Sequence, residues 1–332
     1  SHAGKMDSAS HTPLEYALFV TFFPQLIAGP IVHHAEMMPQ FRKTISPSTR
    51  AIMFCEGLCL FALGLFKKLA IADSIAPYAN QVFTSIDSGI AVTSVTAWGG
   101  ALAYTFQIYF DFSGYSDMAI GLGLLFAIRL PWNFNSPYKS ENMSEFWRRW
   151  HMTLSRWLRD YLYIPLGGNR HGKVRQYINN FATMVLGGLW HGAHWNFIIW
   201  GVLHGIYLIA NQFVRAIAKA FGVLDFVETA KPIRLTSWAI TFLAAVFAWL
   251  FFRAYTLNGS TPSRNRTSTP SNSRSSSAPK RRIIASSSEK CPASITQTGV
   301  STAGWYFMSP VMNTSAPAAA ALPISDEPDP PQ

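Results

Sequence analysis

Only 13% of the 332 residues are charged, while 49% are hydrophobic and 14% aromatic; a soluble globular chain averages about 25% charged. That balance excludes a soluble enzyme, and three scattered cysteines (Cys55, Cys59 and Cys291) exclude a disulfide framework or a cysteine zinc site. The net charge of +10 sits beside long uncharged apolar runs, so it points to a membrane surface and not to nucleic acid.

In chain order, Ser1 to Thr12 is polar, with no initiator Met and no signal-peptide pattern. Residues 1–15 are therefore expected to be the start of a truncated N-terminus. Five stretches are then candidates for bilayer-crossing or bilayer-embedded structure. Tyr16 to Val32 is uncharged but holds Pro24 and Pro30, which predicts a kinked or broken helix. Ala51 to Phe66 contains one acid, Glu56, and is expected to end at Lys67 and Lys68. Cys55 and Cys59, four apart within it, read as packing residues. Val92 to Phe110 is uncharged over 19 residues, about one helical crossing. Gln176 to Val214 lacks Asp, Glu, Lys and Arg across 39 residues, roughly 58 Å of helix at about 1.5 Å per residue. It is expected to fold as two helices divided near Gly187-Gly188 or Gly192. Leu235 to Phe252 is 18 uncharged residues stopped by Arg253.

Between the third and fourth stretches lies a basic island. Residues 129–175 hold nine Lys or Arg and three acids, a net of +6, which the positive-inside rule places on the cytoplasmic face. Ser144 to Tyr163 reads as one helix with Asn142 and Glu145 as a capping-box-like start. At about 100° per residue, Phe146, Trp147, Trp150, Leu154, Trp157, Leu158, Tyr161 and Leu162 share an arc. Arg148, Arg149, Arg156 and Arg159 gather opposite. This is the pattern of a helix lying in the headgroup plane. The arginines are placed either to meet an anionic donor or to form a headgroup-binding stripe. His151 falls within the apolar arc, an unusual place for a titratable group.

After Leu257 the composition breaks. Residues 259–288 hold eleven Ser and six basic residues without an acid. Such a segment cannot bury enough apolar surface to offset its ordering entropy, so 257–332 is expected to be a low-complexity tail, disordered or out of frame.

Chemistry concentrates in Gly187-Gly188-Leu189-Trp190-His191-Gly192. A histidine in an uncharged 39-residue run is costly unless paired, hydrated or used, and its ordinary pKa range suits general-base work. An interior histidine bonded to a carbonyl to hold helices together reads equally well from the residues alone. His191, His194 and His204 could be a metal set, but no zincin-type Glu follows His191, and a metal is not expected. Asp111 and Asp117 interrupt the end of an apolar span; an acid/base pair or a cation site is one reading, but they are expected to cap helices and hydrogen-bond within the bundle.

Four motifs occur in order: Phe22-Phe-Pro-Gln-Leu-Ile-Ala-Gly-Pro30, Glu145-Phe-Trp-Arg-Arg-Trp-His151, Arg159-Asp-Tyr-Leu-Tyr-Ile-Pro-Leu-Gly-Gly168 and Gly187-Gly-Leu-Trp-His-Gly192. Together they resemble the membrane-bound O-acyltransferases, in the bacterial branch of the alginate O-acetylation protein and its peptidoglycan-acetylating relatives. The resemblance runs from about Tyr16 to Arg253. It implies an all-α polytopic helical bundle forming a funnel, with residues 16–256 as its partial core, truncated at both ends. It implies that His191 is catalytic and that His151 occupies the family's second polar position. It further implies an acetyltransferase in the bacterial inner membrane, with acetyl-CoA or a similar thioester as donor and no bound cofactor. A separate periplasmic transferase would pass the acetyl group to an exported glycan. The reading from a different class is a non-catalytic acyl or glycan export channel or scaffold.

Overall fold

A computed structural model describes residues 12–26 and 29–254; the tail expected from Leu257 onward lies outside the described residues. Among the described residues the chain is helical and without strands. The elements are α1 (Pro13–Thr21), α2 (Phe23–Leu26), α3 (His34–Arg42), α4 (Pro47–Phe66), α5 (Asp73–Asp87), α6 (Ser94–Leu125), α7 (Met143–Arg149), α8 (Met152–Leu158), α9 (Gly172–His191), α10 (Trp195–Ala220), α11 (Leu224–Thr229) and α12 (Lys231–Arg253). Polar caps start several of them. The Thr12, Ser46, Thr93 and Asn142 side chains accept hydrogen bonds from the backbone three residues on, supplying partners that the first helical turn cannot.

By length and hydropathy, Pro47–Asp87, Trp195–Ala220 and Lys231–Arg253 can cross a membrane. The first expected stretch takes the broken form: α1 and α2 are 9 and 4 residues long. The second does not end at Lys67-Lys68. A π-helical turn over Lys67–Ala72 joins α4 directly to α5, because the lysines find carboxylates on α6. Lys67 Nζ meets Asp117 at 2.5 Å, and Lys68 Nζ meets Asp111 at 2.7 Å and Asp73 at 2.6 Å. Asp111 and Asp117 thus bond within the bundle, as expected, but from mid-helix positions in α6 and not as caps. Cys55 and Cys59 are exposed on α4, which corrects their reading as packing residues.

Glycines set the helix contacts. A Cβ at Gly57 would lie 2.7 Å from the Gly121 carbonyl oxygen, and one at Gly64 would lie 2.5 Å from that of Gly114. These reciprocal pairs let α4 and α6 touch backbone to backbone, the small-residue packing that replaces the hydrophobic effect inside lipid. The run Gln176 to Val214 divides at Gly192, with α9 and α10 folding back on each other. Any side chain at Gly188 would strike the Phe197 carbonyl oxygen, and a Cβ at Gly201 would meet that of Met184 at 2.5 Å.

Two cores result. One gathers Met37, Met53, Ile120, Leu124 and Ile128. The other is aromatic: Phe83, Tyr104, Phe146, Trp147, Trp150, Trp200 and Trp249 draw α5, α6, α7, α10 and α12 together. On its rim, Arg234 of α12 pairs with Glu141 at 2.6 Å and holds that carboxyl below the usual carboxylate range.

Candidate active site

The helix expected over residues 144–163 is interrupted. Helix α7 ends at Arg149, and His151 sits at φ 43°, ψ 53° before α8 begins. Left-handed backbone costs a non-glycine residue about 1–2 kcal/mol, and such strain persists only where surrounding contacts over-determine it. Those contacts come from residues 133–135. Met152 N–H donates to the Asn133 carbonyl at 2.9 Å, and Asn135 N–H donates to the Arg149 carbonyl at 2.9 Å. A π-helical turn over Arg159–Tyr163 follows α8. The apolar arc therefore does not lie flat in the headgroup plane. Phe146, Trp147, Trp150 and Leu154 are buried inside the bundle, while Trp157 is half-buried.

His151 itself is 3% exposed. Phe112 meets its ring edge-on at 4.8 Å and Phe134 lies parallel to it at 6.3 Å. Nδ1 is 3.0 Å from Asn133 Oδ1, and Nε2 is buried without a protein partner. Burial, and after it the charge of His191, push the imidazole down to about 3. It is neutral near pH 7.

His191 closes α9 and Gly192 lets the chain turn away. A Cβ on Gly192 would come within 2.8 Å of the Phe197 ring, so the glycine of the motif is a steric requirement of the turn. Around the His191 ring stand Trp190 at 5.0 Å, Trp200 at 5.2 Å, Phe252 at 5.1 Å and Phe197 at 6.3 Å. Trp249 packs on Trp150 at 4.8 Å and on Phe252 at 5.4 Å, so one aromatic wall runs from the His151 turn to the His191 enclosure. The two histidines, 40 residues apart in sequence, are brought to one region by α6, α10 and α12.

The four arginines are not so gathered. The break at His151 places Arg148 and Arg149 on one helix and Arg156 and Arg159 beyond it. Arg149 pairs with Glu145 at 2.6 Å, Arg159 with Asp160 at 3.0 Å, and Arg156 forks onto both Glu36 carboxylate oxygens at 2.7 and 2.9 Å. Arg148 is exposed. Asn133 was not singled out in the sequence; its signal is the polar, proline-flanked run Pro131 to Pro137, where a side chain that bonds local backbone is favoured.

Helices of membrane-crossing length and two histidines held in an aromatic enclosure define an integral-membrane protein with a buried imidazole site. The profile described as the membrane-bound O-acyltransferase family matches residues 2–253. The chain belongs to the membrane-bound O-acyltransferase family. It is 52% identical over 253 residues to the peptidoglycan O-acetyltransferase of Helicobacter pylori, covering 76% of this chain and 46% of that protein. It is 48% identical to the probable alginate O-acetylase AlgI of Azotobacter vinelandii, over 75% of this chain and 47% of that one. To AlgI of Pseudomonas aeruginosa it is again 48% identical, over 75% of this chain and 45% of the relative. The chain thus spans about half the length of the curated relatives it matches.

Proposed function

We propose that the chain is the catalytic part of a bacterial inner-membrane O-acetyltransferase that supplies acetyl groups for an exported envelope polysaccharide, alginate or peptidoglycan. The observation that carries this reading is the continuous aromatic wall that joins the His151 turn to the His191 ring through Trp150, Trp249 and Phe252. The family membership and the names of the relatives support acyl transfer as the reaction class.

His191 is the general base. Its imidazole takes the proton of the acceptor hydroxyl as the oxygen attacks the acetyl carbonyl of a cytoplasmic thioester such as acetyl-CoA. The tetrahedral carbon then expels the thiolate, which takes the proton from the imidazolium, so the products are an ester and a free thiol. His151 assists by orienting the hydroxyl or by stabilising the developing charge. Of Arg148, Arg149, Arg156 and Arg159, which do not share one face, the exposed Arg148 is the one left to meet an anionic donor or lipid headgroup. A periplasmic acetyltransferase receives the acetyl group and completes transfer to the glycan. The test is thiol release from an acetyl thioester by the chain in vesicles. An enzyme releases thiol with saturation kinetics; a conduit or scaffold releases none, and that result would sink the proposal.

The donor must then reach the site from the cytoplasm, and the net +6 of residues 129–175 orients that face. Lys173 is exposed at the start of α9. In a chain whose three cysteines are replaced by Ala, Lys173→Cys is expected to react with an impermeant maleimide only from the cytoplasmic side. Labelling from the periplasm alone would reverse the topology.

A further inference from the structure

His151 has two ring nitrogens with different surroundings, and the network around Asn133 decides which one carries the proton. Thr153 N–H can only donate, and it meets the Asn133 side chain at 3.3 Å. The atom it meets is therefore the amide oxygen, not the NH2. The Thr153 hydroxyl accepts from Ile31 N–H at 3.0 Å and spends its own hydrogen on the same Asn133 oxygen at 2.9 Å. An oxygen that already accepts twice has no hydrogen to give. At 3.0 Å from it, His151 Nδ1 must donate. Asn133, Thr153 and His151 are 1%, 2% and 3% exposed, so bulk water is not a competing partner. The neutral imidazole has one N–H, and with that hydrogen on Nδ1, Nε2 holds a bare lone pair. Nε2 is the buried atom of the ring with no protein partner.

Resting on the acetyltransferase reading above, we propose that Asn133 is a positioning residue that locks His151 in the Nδ1–H tautomer, so that His151 Nε2 accepts a hydrogen bond from a donor group of the acceptor other than the hydroxyl whose proton His191 takes, and so aims that hydroxyl. Of the two assisting roles open to His151, this selects orientation of the nucleophile; a bare nitrogen cannot donate to a developing oxyanion. The same network gives the Gly29-Pro30-Ile31 segment a purpose. Its Ile31 N–H occupies a lone pair of the Thr153 hydroxyl and so directs the hydroxyl hydrogen to Asn133. The left-handed turn at His151 points the ring at this acceptor, and the Met152 N–H bond to the Asn133 carbonyl holds the turn from the same residue.

The test has a spectroscopic arm and a kinetic arm, both on the full chain in lipid vesicles. Solid-state nitrogen NMR of 15N-histidine-labelled protein, with His151 assigned by subtraction of the His151→Asn spectrum, reads the tautomer directly. The wild type is expected to show protonated Nδ1 and bare Nε2 at His151, Asn133→Asp to keep that pattern, and Asn133→Leu to lose it. A proton on Nε2 in the wild type overturns the proposal without any Asn133 variant, so a variant that fails to fold does not rescue it. In thioester turnover, Asn133→Leu is expected to lower kcat about 100-fold, the scale of a misplaced catalytic group, with KM within about threefold. Asn133→Asp, which keeps an acceptor oxygen, should stay within about tenfold of wild type. Loss in KM alone, or equal loss in both variants, would leave Asn133 a structural residue and sink the proposal. If His191→Ala keeps its turnover while the His151 tautomer is as stated, the general-base reading fails and the tautomer assignment stands.

Discussion

Replacing His191 by Ala is expected to lower thioester turnover about 10³-fold, within the range that a positioned general base supplies, while the protein still inserts and folds. The second half follows from the site's construction. His191 is the last residue of α9, and the backbone approach of α9 to α10 is made at Gly188, Gly201, Met184 and Phe197; the imidazole adds only ring contacts with Trp200 and Phe197. Removing the ring leaves a gap among Trp190, Trp200 and Phe252 but does not separate the helices. Circular dichroism and size exclusion in detergent would check the fold, and thiol release the chemistry. Near-normal turnover by a folded variant would remove His191 from the mechanism.

Gly188→Leu is expected to produce the opposite phenotype, loss of the fold ahead of any loss of chemistry. The added Cβ would collide with the Phe197 carbonyl oxygen and stand 3.2 Å from Gly201 Cα. Both are backbone atoms, which cannot rotate away as a side-chain tip can. Overpacking in a tight core costs about 1–3 kcal/mol and occasionally more, and here the helices must part to accept it. A destabilisation of about 3 kcal/mol or more should appear as a lowered thermal midpoint in detergent, with His191 displaced and turnover lost. An unchanged midpoint would mean that α9 and α10 do not pack this closely.

The apolar runs and their breaks were legible because membrane segments announce themselves by composition. The division of Gln176 to Val214 is the clearest instance: a run too long for one crossing, with glycine where the backbone must turn against Phe197. The two histidines stood out for a related reason, since a titratable ring in a greasy segment is costly unless paired, hydrated or used; the residues alone fitted a structural role equally well, and the family resemblance is what favoured a catalytic one. What the sequence hid was phase and tertiary charge. One arc over residues 144–163 assumed an unbroken helix, but the left-handed turn at His151 resets the register, and the contacts that enforce it come from residues 133–135. The helical stretch that opens with α4 runs on past Lys67-Lys68 through the π-helical turn into α5, because carboxylates about 50 residues away on α6 neutralise the lysines. Asn133 was invisible as a site residue because its acceptor role exists only once residues 31, 151 and 153 have converged on it.

The chemistry proposed for His191, with His151 assisting, is acetyl transfer from a thioester. The most direct measurement is a single turnover with acetyl-labelled thioester and a hydroxyl acceptor, using the chain in lipid vesicles and counting free thiol and labelled ester together. One ester formed for each thiol released, both lost in His191→Ala, is the expected result. Passage of label or glycan across the vesicle wall with no thiol released would contradict it.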